Sequence, residues 1–315
     1  MKEDLQDVAL IILNYNTPEQ TISAVRQILA QETGARIVVT DNASTDDSLE
    51  KFQCTFKESK EVAVIETGVN GGYAKGNNFG IAYAEKLGGI RYIGVMNPDV
   101  ELDAIALRLL INALKEDSSL GLVTGRVIYS GINAEPNPCA WKKASVLRWI
   151  FSVTLLGTAY RRFVSWQQDW SLERQRLPSQ DFYSKEKYSQ PVTHVYAVQG
   201  CLFFSRLENW KRIGGFDERT FLYWEEDILA EKVLHAGFHN AVVRDAWIRH
   251  NHQEKDKSMQ RQGERLFHNR CGFDSRMVFL REYSHYGWGL RTVLELLWRV
   301  DLTLRKLLIP LFLRK

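Results

Sequence analysis

The sequence predicts an α/β fold: a doubly wound, mostly parallel sheet with flanking helices and a C-terminal helical extension. Three observations carry this prediction. Short apolar runs alternate with segments of helical period four times between residues 8 and 100, as in successive βαβ units. The runs are apolar at consecutive positions, as expected of strands buried on both faces. Three of them end in Asn or Asp at one edge of the sheet, the edge where open α/β sheets bind ligands.

The first strand is Val8-Ala9-Leu10-Ile11-Ile12-Leu13, stopped by Asn14-Tyr15-Asn16. Thr17 reads as the N-cap of the next helix, with Pro18 at its first position and Gln20 closing a capping box. Ile22, Val25, Ile28 and Leu29 give that helix its apolar face. Arg36-Ile37-Val38-Val39-Thr40 is the second strand and ends at Asp41-Asn42; Ser44, Thr45 and Asp46 offer caps for a helix through Leu49 and Phe52. The third strand, Val62-Ala63-Val64-Ile65, leads past Gly68 into Asn70-Gly71-Gly72-Tyr73-Ala74-Lys75-Gly76-Asn77-Asn78. This glycine-rich stretch reads as a loop whose backbone can approach a ligand, with a helix from Phe79 to Leu87 behind it. It matches neither G-x-G-x-x-G nor G-x-x-x-x-G-K-[ST], which argues against dinucleotide and Walker-type sites.

The fourth strand, Arg91 to Met96, runs straight into Asn97-Pro98-Asp99, where Pro98 forces the chain to turn. A carboxylate at that edge suits a hard divalent cation that holds a diphosphate. Taken alone it reads rather as an Asx-Pro turn, with Asp99 capping the helix that begins near Asp103. Leu107, Leu110, Ile111 and Leu114 mark that helix, and Gly121-Leu122-Val123-Thr124-Gly125 a further strand. Residues 130–190 read as an irregular insert or lid, with an apolar run from Val146 to Tyr160. Pattern returns in a strand from Val195 to Arg206, bent at Gly200.

Gly214-Gly215-Phe216-Asp217 and then Phe221-Leu222-Tyr223-Trp224 precede Glu225-Glu226-Asp227, which open a helix that stops at Gly237. Three acids at a helix N-terminus complement its dipole. Behind an aromatic run, one of them also suits a general base in a partly desolvated cleft; position alone leaves both readings open. After a strand at Ala241-Val242-Val243 comes Arg249-His250-Asn251-His252, whose two histidines point to opposite faces of an extended chain. They are not a two-histidine metal clamp, although one alone can meet a metal or phosphate. From Trp288 to Lys315 a leucine-rich helix carries Arg291, Glu295 and Arg299 on one stripe. It is either interfacial, drawn to anionic lipid, or docked on the domain or on a second copy.

Hydrophobic content of 45% and charged content of 25% are those of a globular chain. A net charge of +3 is too small to point to nucleic acid. Cys54, Cys139, Cys201 and Cys271 are far apart, so neither a zinc knuckle nor a disulfide framework is expected. The charged start, Met1-Lys2-Glu3-Asp4, is not a signal peptide, and no apolar run nears the ~18 residues of a spanning helix. The expectation is a cytoplasmic protein with reduced thiols.

Six ordered motifs give a resemblance. They are Leu13-Asn14-Tyr15-Asn16, Val39 to Asp46, Asn70 to Asn78, Met96-Asn97-Pro98-Asp99, Gly214-Gly215-Phe216-Asp217 and Trp224-Glu225-Glu226. In order and spacing, over residues 8–255, the chain resembles glycosyltransferase family 2, of the bacterial rhamnosyltransferase and O-antigen type. The resemblance implies a GT-A fold over residues 1–255. Residues 1–125 would be the nucleotide-binding half and 126–255 the acceptor half with its insert; residues 256–315 would be a helical extension that associates with membrane. It implies a nucleoside diphosphate sugar donor (dTDP- or UDP-linked) and inversion at the anomeric carbon. The acceptor would be a saccharide, often lipid-linked, at the inner face of the cell membrane.

By the same resemblance, Asn14, Tyr15, Asn16, Asp41, Asn42, Gly72, Lys75, Asn78 and Asn97 lie at the donor, with Asp41 reading a pyrimidine. Asp99 binds Mg²⁺ or Mn²⁺, with His250 nearby. Asn97 replaces the first carboxylate of the family's Asp-x-Asp motif. The family's Glu-Asp pair falls on Glu225-Glu226, the register being set by Leu229, Lys232 and Gly237; Glu226 stands where the basic Asp is usual, and Asp227 competes with it. Two other readings remain at this stage. A sugar nucleotidyltransferase would want a basic, glycine-rich loop after the first strand, which Asn14-Tyr15-Asn16-Thr17 is not. A non-catalytic sugar- or nucleotide-binding module is kept open by the Asn97 and Glu226 departures.

Overall fold

The computed structural model describes residues 5–129, 140–143, 190–251 and 262–312. Most of the expected insert lies outside these, including Cys139 and the run from Val146 to Tyr160, as do His252, Arg314 and Lys315. In chain order the elements begin β1 (Val8–Asn14), α1 (Pro18–Leu29), β2 (Arg36–Asp41), α2 (Ser48–Phe56), β3 (Val62–Glu66), α3 (Gly72–Lys86) and β4 (Tyr92–Met96). They continue with β5 (Val100–Leu102), α4 (Ala104–Glu116), β6 (Leu120–Tyr129), β7 (Ala140–Trp141), β8 (Val192–Val195), β9 (Ala197–Val198) and β10 (Leu202–Arg206). After α5 (Leu207–Ile213), α6 (Glu225–His235) and β11 (His239–His250) come α7 (Gln262–Val278), a π-helical turn (Phe279–Tyr283) and α8 (Trp288–Phe312).

The first four strands pair in parallel in the order β3-β2-β1-β4. Their apolar runs have the expected cause: Val8 to Ile12 are completely buried, covered on both faces. Beyond β4 the sheet reverses. β10 lies antiparallel between β4 and β6, and β11 runs parallel to β6. The two ends of β11 take β5 and β8 as antiparallel partners. β7 and β9 form a separate small ribbon.

Several local expectations are corrected. The glycine-rich stretch is not a loop but the first turns of α3, which begins at Gly72 rather than Phe79. Its glycines serve close packing: a Cβ at Gly76 would lie 2.5 Å from Leu13 Cδ1, and one at Gly80 2.5 Å from Thr40 Oγ1. The segment from Val195 to Arg206 is broken into β8, β9 and β10 instead of one bent strand. Thr17 makes no side-chain cap; its hydroxyl donates to Asn14 Oδ1 at 3.1 Å. Asp47 occupies the N-cap position of α2. Asp103, not Asp99, caps α4, accepting from the Ala106 N–H at 2.7 Å.

The C-terminal extension is docked. Leu294 and Trp298 of α8 join Met277, Phe279 and Leu280 against Ile228 of α6 in a second apolar cluster. Arg276 is buried there, its guanidinium 4.8 Å from the Trp298 ring centroid and 5.7 Å from that of Trp224. Burial lowers its pKa to about 9, with Asp301 working against the shift. The other face of α8 exposes Trp288, Leu296, Val300, Leu304 and Leu307. Among the described residues no helix is long and apolar enough to cross a membrane.

Gly68 and Gly72 separate backbone strain from collision. Both have positive φ, 73° and 81°, but a Cβ at Gly68 meets nothing, whereas one at Gly72 would lie 2.3 Å from the Phe221 carbonyl oxygen. Gly68→Ala should cost about 1 kcal/mol. Gly72→Ala should cost roughly 3 kcal/mol, because the Phe221 carbonyl that accepts from the Tyr73 N–H must also move. Denaturant midpoints measured at unchanged m-value check both figures.

Candidate active site

At the carboxyl edge of β1 and β2 the polar residues tie the sheet together. Asn14 donates through Nδ2 to Asp41 Oδ1 at 2.9 Å and Ser44 Oγ at 3.0 Å; its Oδ1 accepts from Thr21 at 2.8 Å. Asp41 accepts from the Ser44 N–H at 2.9 Å and hydroxyl at 2.6 Å. Asn14 and Asp41 are fully buried, so each uses its hydrogen-bonding capacity within this knot. Asn16, in the left-handed region at φ 56°, is fastened beside it through Ser44 and Thr45.

Above the knot opens a cleft of about 590 Å³, lined by Tyr15, Thr17, Gln20, Asn42, Gly72, Tyr73, Asn97 and Asp99 on the sheet side. Phe221, Leu222, Phe267 and His268 line it as well. Of the nine expected donor residues, four line this cleft: Tyr15, Asn42, Gly72 and Asn97. Asn14, Asn16 and Asp41 are not among its lining residues and brace its floor. Lys75 and Asn78 line a separate depression with Gly215 and Glu218. Asn78 is engaged structurally, donating to the Phe216 carbonyl and accepting from the Phe216 N–H, both at 3.0 Å. Lys232 also holds this loop, donating to the Gly214 and Gly215 carbonyls. Asp217 is pulled the other way, toward the π-helical turn. Burial alone would raise its carboxyl, but hydrogen bonds from Arg219 and Tyr283 bring it down to about 2.

The metal candidates meet. Pairing of β5 with the end of β11 sets Val100 opposite His250, and the Asn251 N–H donates to the Asp99 carbonyl at 2.7 Å. His250 Nε2 is thereby 3.2 Å from Asp99 Oδ2, the imidazole buried and the carboxylate partly exposed to the cleft. One imidazole nitrogen and one carboxylate oxygen suit Mn²⁺ or Mg²⁺ if ligand phosphates and water supply the remaining positions. Among the described residues no group of three or more candidate ligands gathers.

The acidic candidates separate. Glu226 Oε1 accepts from the Gly200 N–H at 3.3 Å; a Cβ on residue 200 would lie 2.7 Å from that oxygen and push the carboxylate from its place. The Gly200 carbonyl accepts from the Tyr73 hydroxyl at 2.8 Å, and Tyr73 lines the cleft. Burial raises the Tyr73 hydroxyl first, followed by the charges of Glu226, Glu225, Cys201 and Asp99. Burial raises Glu225 as well, followed by the Glu226 charge, and burial raises Glu226 against the Gly200 N–H. Asp227 turns elsewhere, accepting from the Trp141 indole at 3.3 Å.

The backbone entering α6 is strained: Tyr223 and Trp224 both lie in the left-handed region, at φ 73° and 72°. Each costs about 1–3 kcal/mol and persists only where its surroundings over-determine it. Here they do. Ser275 of α7 donates to the Leu222 carbonyl at 2.8 Å, and the Tyr223 hydroxyl meets His268 Nδ1 at 2.9 Å. Sequence reasoning missed Gly200, Tyr73, Phe267 and His268 as site residues. Tyr73 stood inside a quoted motif; the α7 residues carried no local signal.

Asn14→Asp would set a second buried carboxylate against Asp41. It should destabilise the fold by about 3 kcal/mol near neutral pH, with part of the loss recovered as acid protonates one of the pair. Chemical denaturation at two pH values checks this.

Residues 9–207 match the family model Glycosyl transferase family 2. The chain is 25% identical over 226 residues to the low-salt glycan biosynthesis hexosyltransferase Agl10 of Haloferax volcanii, a match covering 70% of the chain but 60% of that relative. It is also 25% identical over 284 residues to the N-acetylglucosaminyl-diphospho-decaprenol L-rhamnosyltransferase of Mycobacterium tuberculosis, covering 88% of the chain and 84% of the relative. The fold resembles that of the Pyrobaculum calidifontis mannosyltransferase PcManGT in complex with GDP-Man and Mn²⁺. That match has a TM-score of 0.53 at 14% identity, over 95% of this chain and 75% of that one. It also resembles GalNAc-T7 with UDP, GalNAc and Mn²⁺, with a TM-score of 0.60 at 14% identity, over 94% and 54%. The architecture is therefore of GT-A type, and the chain belongs to glycosyltransferase family 2.

Proposed function

We propose that this glycosyltransferase moves a sugar, with inversion, from a nucleoside diphosphate donor in the cleft to a saccharide acceptor, using Glu226 as base. The observation that carries the reading is the placing of Tyr73. Its hydroxyl rests on Gly200, which also seats Glu226, and it feels the charges of both glutamates and of Asp99. The diphosphate end and the base end therefore lie within one electrostatic neighbourhood. Rhamnose from a dTDP donor, or a hexose from a UDP donor, is the sugar we favour. The rhamnosyltransferase relative, whose name includes a diphospho-decaprenol, supports a lipid-linked acceptor in cell-surface polysaccharide synthesis at the cytoplasmic face of the membrane.

In the displacement, the acceptor oxygen forms a bond to the anomeric carbon from the face opposite the leaving group. The bond from that carbon to the phosphate oxygen breaks, and its electron pair leaves with the nucleoside diphosphate. Glu226 takes the acceptor's proton; burial raises its basicity toward the range a general base needs. Glu225 and Glu226 titrate as a coupled pair, both raised by burial. Asp99 and His250 would hold Mg²⁺ or Mn²⁺, which supplies Lewis-acid neutralisation of the diphosphate when bound; complexes of the structural neighbours with Mn²⁺ support this choice.

Transfer from radiolabelled dTDP-rhamnose and UDP-hexoses tests the reading. Glu226→Gln should lower kcat by about 10²–10⁴-fold, and kcat/KM should rise with pH through a midpoint above the ordinary carboxylate range. Full activity in Glu226→Gln would overturn Glu226 as base. Transfer from none of the donors by the intact protein would favour a binding module instead.

Stability carries the opposite sign. Both glutamates bind protons more tightly folded than unfolded, so stability falls as pH rises from their ordinary values through the raised ones. Glu225→Gln should therefore raise the melting temperature at about pH 8 and leave it unchanged near pH 4.

The outward residues of α8 support peripheral membrane association. Deleting the helix would strip Trp298 from the core, so surface changes are the proper test. Leu296→Glu with Val300→Glu and Leu307→Glu should abolish co-sedimentation with anionic vesicles at unchanged melting temperature; undiminished co-sedimentation would contradict it.

A further inference from the structure

The inference concerns His268, and it rests on the reading of the cleft as a nucleoside diphosphate site. No lysine or arginine is among the cleft-lining residues described, yet a diphosphate brings several negative charges. Among the described lining side chains His268 carries an imidazole, whose N–H can donate to a phosphate oxygen. It arrives from α7, outside the stretch matched by the family model, which ends at residue 207. Its Nδ1 lies 2.9 Å from the Tyr223 hydroxyl. Burial first, then the Cys271 and Glu225 charges, raises that phenol, and its hydroxyl can donate to Nδ1 when that nitrogen carries no proton. An imidazole that accepts at Nδ1 carries its proton on Nε2. The ring also meets Phe267 edge-on at 5.8 Å between centroids, and Phe267 packs edge-on against Phe221 at 5.6 Å.

We propose that His268 contacts the substrate, its Nε2–H donating to the diphosphate of the bound nucleotide, and that Tyr223 is the positioning residue that fixes this orientation. The arrangement also gives the left-handed turn at Tyr223 a purpose. That turn sends the phenol toward α7 while the chain continues, two residues later, into Glu225-Glu226. A nucleotide held by His268 is then linked through Tyr223 to the start of the helix that carries the base.

Calorimetric titration of the full chain with dTDP and UDP in the presence of Mn²⁺, alongside thymidine and uridine, tests this. A hydrogen bond to a charged oxygen is worth about tenfold in affinity or more. His268→Ala should therefore weaken nucleoside diphosphate binding by about tenfold and leave nucleoside binding alone. His268→Gln, which keeps an N–H at similar reach, should recover part of the loss. Tyr223→Phe should lose about threefold by itself and add nothing in a His268→Ala background, because the two residues act as one unit. Diphosphate affinity unchanged in His268→Ala, or lost equally for diphosphate and nucleoside, would overturn the inference while leaving the proposed function in place. An intact protein that binds neither diphosphate would overturn both.

Discussion

The pairing of β10 against β4 is the joint on which the site depends. Register sets Leu202 opposite Met96, so the Asn97 N–H donates to the Cys201 carbonyl at 2.9 Å. That one ladder fixes Gly200 beside Asn97-Pro98-Asp99. Gly200 in turn accepts from Tyr73 and donates to Glu226. A reversed strand in the middle of an otherwise parallel run therefore sets Gly200, on which Glu226 rests, next to the Asn97-Pro98-Asp99 turn. A slip of one residue would turn every side chain of β10 to the other face and carry Gly200 away from Glu226.

A second dependence runs through the C-terminal extension. α7 and α8 cover α6 with their own apolar cluster, and Arg276 is sandwiched near Trp224 and Trp298 at the cost of its hydration. Contacts from α7 to Leu222 and Tyr223 hold two bulky residues in the left-handed region immediately before the acids. Strain at that point persists because residues of a distant helix over-determine it. The extension thus belongs to the cleft as much as to any surface it touches.

How much of this was legible in the sequence depends on the range of the interaction. Strands buried on both faces announce themselves locally, so β1 to β4 and the Asn and Asp residues at their ends could be read directly. Asp99 and His250 could be named through motif order, but their contact comes from β5 pairing with β11, and a three-residue strand has no period to detect. The glycines of α3 were misread because glycine signals freedom locally, whereas here it permits a helix to lie against Leu13 and Thr40. Asn14, Asp41 and Asn78 carried the right polarity for a ligand, yet their hydrogen bonds go to neighbouring protein groups. His268 and Phe267 were invisible, since nothing in α7 indicates that one turn of it faces a cleft lined mainly by residues of the first four strands and their turns.

The central claim is that the cleft holds a nucleoside diphosphate through a cation at Asp99 and His250. Thermal unfolding against dTDP, UDP and GDP, each with and without Mn²⁺, tests it most directly, because a ligand that binds only the folded state raises the melting temperature. The account predicts a rise with one pyrimidine diphosphate that requires Mn²⁺ and vanishes in Asp99→Ala. A rise of equal size without the metal, or in Asp99→Ala, would contradict it.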